Sequence, residues 1–120
     1  MTFNVEVVLK GRDFAVAEAV STPHGEPATW DDEAVREVLR QILRAIDRVE
    51  NPATASDRVV ALRGFSWIVE PMDGGVVIAV EIPMGAAVAG PFAIGKRELD
   101  AMIARVLRAE RHFTAAQTIH

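Results

Sequence analysis

The chain has no cysteine and no tyrosine. The first absence excludes disulfides, thiolate metal ligands and cysteine nucleophiles. The second, with aromatics at only 6% of residues, leaves no ladder of rings on which single-stranded nucleic acid could stack. Positive charge is also short. Thirteen Lys and Arg face seventeen Asp and Glu, a net charge of -4, whereas phosphate backbones demand a basic face. Nucleic acid is therefore not expected as a partner. Long apolar runs are missing too. The longest uncharged stretch, Ile82 to Gly95, is too short to cross a bilayer as a helix. The opening MTFNVEVVLKG has no basic n-region and is interrupted by Glu6, so it does not read as a signal peptide. The expectation is a soluble, cytoplasmic protein that makes no use of a membrane.

What is present is 120 residues, half of them apolar and a quarter charged. That is one domain with enough chain to bury a core without staples. Its organising stretch is Phe65 to Met84, two β-rich runs around Asp-Gly-Gly, a strong hairpin signal. With Gly74-Gly75 as the turn, Pro71 faces Ile78, Val69 faces Val80, Trp67 faces Ile82 and Phe65 faces Met84. All eight fall on one side, because side chains alternate along a strand.

Phe3 to Val20 reads as an earlier hairpin, with Gly11-Arg12 as a two-residue turn. That register sets Phe3 opposite Val20, Val5 opposite Glu18, Val7 opposite Val16 and Leu9 opposite Phe14. Ser21 to Trp30 is a Pro- and Gly-bearing loop. A helix follows, capped by Thr29 or Asp31, with Asp31, Asp32 and Glu33 where the dipole favours acid. Val35, Val38, Leu39, Ile42, Leu43, Ile46 and Val49 give it one apolar stripe, and Asn51-Pro52 ends it. Gly85 to Gly95 reads as an uncharged Gly/Ala-rich loop. A second helix spans about Lys96 to His112, with a tail to His120.

The two halves align without gaps at an offset of 64, pairing Gly11 with Gly75 and Leu43-Arg44-Ala45 with Leu107-Arg108-Ala109. The expected fold is therefore α+β: a duplicated ββα unit, ββαββα, with repeats at about 1–50 and 64–113. It would form a four-stranded antiparallel sheet with two helices packed on one face. The other sheet face mixes Val8, Ile68, Val77 and Ala79 with Glu6, Glu70 and Glu81. Such a half-apolar surface suggests homo-oligomerisation through the outer sheet face.

Differences between the halves supply the candidate site residues. Glu18 stands where the second half has Ile82; a carboxyl facing the core would be a general acid or base, and a strand end there would let it reach solvent. His24, beside Glu26 in the first loop, is the other weak catalytic candidate. Asp31-Asp32-Glu33 becomes Gly95-Lys96-Arg97 at the second helix start. Cations there oppose the dipole unless an anion is bound, so Gly95, Lys96, Arg97 and Phe92 are the ligand-binding candidates, with a small anion as ligand. The segment Gly90 to Arg97 nearly matches a phosphate-binding loop. It lacks the hydroxyl residue after Lys96 and the parallel βαβ unit that such a loop requires. His24, His112 and His120 are too scattered for a metal site, and no cofactor is implied. No nucleophile elbow or paired carboxylate occurs. Two readings follow: a self-associating binding domain without catalytic machinery, or a small oligomeric enzyme acting on an anionic, partly apolar metabolite.

Overall fold

Alternation decides the first element. Phe3, Val5, Val7 and Leu9 are buried and their neighbours exposed along β1 (Thr2–Leu9). In the computed structural model, which describes residues 1–53 and 60–118, β1 pairs antiparallel with β2 (Val16–Ser21) in the register Phe3↔Val20, Val5↔Glu18, Val7↔Val16. The turn is wider than two residues. Gly11 takes a φ of 86°, the chain bends at Asp13-Phe14, and β2 begins only at Val16. Phe14 therefore does not face Leu9; it is 59% exposed.

A single turn of 3-10 helix at Pro27–Thr29 leads to α1 (Asp32–Glu50). Asp31 caps it, its carboxylate accepting the Ala34 N–H at 2.9 Å. Val35, Val38, Leu39, Ile42 and Ile46 form the buried stripe. Each such side chain contributes roughly 1.5–3 kcal/mol by leaving water, before ordering entropy is counted.

The second half corrects the expected architecture. It contains three strands, β3 (Ser66–Met72), β4 (Gly75–Ile82) and β5 (Gly85–Phe92), before α2 (Lys96–Thr118). The sheet has five strands, not four, in the order β2-β1-β5-β4-β3, with every neighbouring pair antiparallel. The uncharged stretch expected to be a loop is thus the central strand. The second half is βββα rather than a second ββα. β3 begins 64 residues after β1 and α2 64 residues after α1, but the segments between diverge: Pro27 opens the 3-10 turn, whereas Pro91 lies within β5. α2 also runs on to Thr118, so residues 113–118 are helical rather than a tail.

The β3–β4 turn is Asp73-Gly74, with Met72 paired to Gly75, Val69 to Ile78 and Trp67 to Val80. The register is two residues from the expected one. Because side chains alternate with period two, a slip of two preserves every face, and Val69, Ile78 and Val80 are all buried as anticipated. Met84 sits instead in the Pro83-Met84 turn joining β4 to β5, half-exposed.

β5 fits its place because its inward residues are small. Ala87 and Ala89 are buried beneath α1, and Val88 between them points outward. Phe92 closes the strand at the centre of the core, its ring 5.1 Å from those of both Phe3 and Trp30. α1 covers β1, β2 and β5, while α2 covers β3 and adds Leu99, Met102, Ile103 and Val106 to the same core. The Arg58–Leu62 segment lies partly outside the described residues; its last residue, Leu62, is buried.

Candidate functional site

The residues singled out by sequence are distributed as follows. Glu18 lies on β2, opposite Val5, and its side chain is 30% exposed. It turns away from the core toward the Arg48 guanidinium of α1, 3.9 Å distant. The carbonyl of His24 accepts the N-terminal ammonium at 3.2 Å, beside a 2.8 Å bond to the Thr22 carbonyl. Antiparallel pairing brings the start of β1 and the ends of β2 and β5 to one end of the sheet. His24 and the Gly95–Arg97 turn therefore share that end. Glu18 is held farther along, by a residue near the C-terminus of α1.

At the start of α2 Lys96 has a local acid, while Arg97 is exposed and forms no ion pair among the described residues. Lys96 Nζ donates to Asp100 at 2.7 Å. The Glu98 carboxylate folds back over Gly95, with an oxygen 3.2 Å from where a Cβ would stand. Phe92 does not line an adjoining surface; its ring is wholly within the core. Among the described residues, no group of three or more His, Asp and Glu is gathered as metal ligands would be. No described helix is long and apolar enough to cross a membrane.

Two surfaces stand out. The first is the sheet face that carries no helix. The register sets Ala17, Glu6, Val88, Ala79 and Ile68 in one row across all five strands, and Val8, Ala86, Glu81 and Ser66 in the next. Val8, Ile68, Met72, Met84 and Val88 are 41–52% exposed. Val77 faces the same way but is buried, beside the irregularity between Val76 and Ile78. A shallow groove of about 260 Å³ runs over Ile68, Ala79, Ala86 and Val88. Three exposed glutamates interrupt this apolar surface: Glu6 on β1 and Glu81 on β4 stand within the two rows, and Glu70 lies on edge strand β3.

The second is a recess of about 360 Å³ between α2 and the segment entering β3. Leu62, Phe65 and Trp67 come from the segment; Ala104, Leu107, Arg108 and Arg111 come from one stripe of α2 at helical spacing. Arg63 completes the rim. Arg63, Arg108 and Arg111 form no ion pair among the described residues, as Arg12, Arg44 and Arg97 also do not, but only the first three are gathered at one recess. Sequence reading missed this site. Its available signal was the continuation of the α2 apolar stripe, Ile103 and Leu107, into Arg111 rather than another apolar residue.

Compared with known protein families, with curated proteins and with solved structures, the chain finds no match in any of the three.

Proposed function

We propose that this protein is a binding domain without catalytic machinery, and that its helix-free sheet face is the interface through which it self-associates. The observation that carries this reading is the exposed apolar patch on that face: Val88, Ala79 and Ala86, flanked by Val8 and Ile68, with the carboxylates of Glu6 and Glu81 set among them. A contiguous exposed apolar patch marks a contact surface. Stacking two such sheets face to face buries the centre of each. The sheet edges are less suited to pairing, since edge strand β3 carries Glu70 and Pro71.

Five strands about 4.8 Å apart and about 20 Å long present roughly 500 Å². That lies below the roughly 800 Å² per partner of a standard interface, so the association is weak and concentration-dependent. The carboxylates on two copies of this face repel one another, so added salt strengthens it. The measurement is native mass as a function of protein concentration and salt. A monomer at every concentration overturns the reading.

The carboxylates on this face favour a second occupant, a partner presenting apolar residues interspersed with Lys or Arg. Salt would weaken that complex, the opposite sign to self-association. An oligomeric enzyme working through Lys96, Arg97, Glu18 and His24 has less support. Lys96 is engaged by Asp100, and Glu18 lies toward Arg48, away from the end shared by His24 and Lys96.

A further inference from the structure

We infer that the recess between α2 and the segment entering β3 binds a small organic acid, a carboxylate or phosphate on an apolar body. Three observations converge on that chemistry. The floor is apolar and aromatic, with Leu62, Phe65, Trp67 and Leu107, and its volume of about 360 Å³ falls within the range of small-molecule sites. Phe65, Trp67 and Leu107 are only partly buried, so apolar surface remains uncovered at a place the fold could have closed. The rim is cationic: Arg63, Arg108 and Arg111 converge there with no ion pair among the described residues, in a chain of net charge -4.

The charge and the apolar floor select together. Clustered like charges without counter-ions repel one another, and an anion removes that cost. A guanidinium presents a planar fork that takes two oxygens of a carboxylate or phosphate at once. A bare inorganic anion would leave the Trp67 and Phe65 surface wet. A neutral apolar molecule would leave the arginines unpaired. A molecule with both parts satisfies both. Arg63 also borders a neighbouring groove containing Asp47 and Glu50, which makes Arg108 and Arg111 the principal anion contacts. The recess shares Trp67 with the groove on the sheet face, but its arginines, Leu62, Phe65 and Leu107 do not line that groove, so the arginine variant separates the two sites.

The chain contains its own reporter. It has two tryptophans. Trp67 lines the recess, whereas the Trp30 indole N–H is tied to the Gly25 carbonyl at 2.9 Å inside the core. The experiment titrates the full chain with decanoate below its micelle concentration and follows both indole N–H resonances by NMR. Decanol serves as the neutral control and phenyl phosphate as the phosphate arm. A saturable shift of Trp67 alone is expected with one or both anions, weakening as salt is raised. In the Arg108→Gln/Arg111→Gln variant the affinity should fall about tenfold or more, the loss appropriate to charge-assisted hydrogen bonds. Both positions are exposed, and an unmoved Trp30 resonance verifies that the variant is folded. Should decanol shift Trp67 as strongly as decanoate, or the variant bind as tightly as the parent, the anion site is refuted. A Trp67 resonance unmoved by both acids refutes it as well.

Discussion

Arg105 clasps Asp32 with two parallel hydrogen bonds, Nε to Oδ2 and Nη2 to Oδ1, each 2.9 Å long. The pair joins the middle of α2 to the first turn of α1, across 73 residues of sequence. The Arg105 hydrogen bonds hold the Asp32 carboxyl below its ordinary range, against a smaller opposing effect of desolvation. A folded-state pKa below the unfolded one means that the pair stabilises the fold at pH values above the ordinary carboxylate range. That contribution disappears as pH falls through the lowered value. Arg105→Gln should therefore cost stability at neutral pH, with the difference from the parent vanishing in acid. Thermal unfolding across a pH series measures it. Both side chains are exposed, so the effect is small and fades with salt.

Phe92→Ala should be among the most damaging single substitutions. The ring is fully buried between Phe3 and Trp30 on the central strand. Its loss removes the transfer free energy and leaves a cavity, together about 3–5 kcal/mol. Chemical denaturation gives the number, and Trp30 fluorescence reports the loosened packing directly. A cost below about 1 kcal/mol would show that the core re-forms without this ring.

Gly75→Ala tests the close approach of β4 to the end of β5. Gly75 has a φ of 142°, and an added Cβ would run into the Phe92 carbonyl. Backbone cannot retreat as a side-chain tip can, so about 2 kcal/mol or more should be lost. Gly11→Ala is the control: its φ is 86°, also left-handed, but its Cβ meets nothing within 4 Å. The difference between the two isolates the steric part.

Val88→Glu and Ile68→Glu test the sheet face. Both positions are exposed, so the fold should survive with thermal midpoints little changed. Each adds charge to the apolar centre, and sedimentation should find the variants monomeric where the parent associates. Association unchanged in both would move the interface elsewhere.

Much of this fold is written in local pattern. Phe3, Val5 and Val7 alternate with polar neighbours, and the α1 stripe with its Asp31 cap is equally plain, so both elements lie where periodicity puts them. The central strand was illegible for a physical reason. Its inner face beneath α1 is Ala87 and Ala89, and Gly and Ala carry little β propensity of their own. The Pro83-Met84 turn before it has Pro at its second position and Gly85 at its fourth, a general turn signal, but not the Asn-Gly or Asp-Gly pair that marks a two-residue hairpin. Leucine or valine at 87 and 89 would have announced the strand while displacing α1. The Arg108–Arg111 recess was hidden differently: it is lined jointly by the segment entering β3 and by α2, and no sequence period joins them.

The central position of β5 also bears on how the chain acquires its shape. β1 with β2, and β3 with β4 and β5, are hairpin neighbours that can meet after short loop closures. The β1–β5 ladder, from Val5↔Ala89 to Leu9↔Gly85, joins strands separated by α1 and most of the chain. The entropy of closing that interval comes due before its hydrogen bonds repay it. The sheet is thus expected to condense as two blocks from its outer edges, with its middle seam the last to zip.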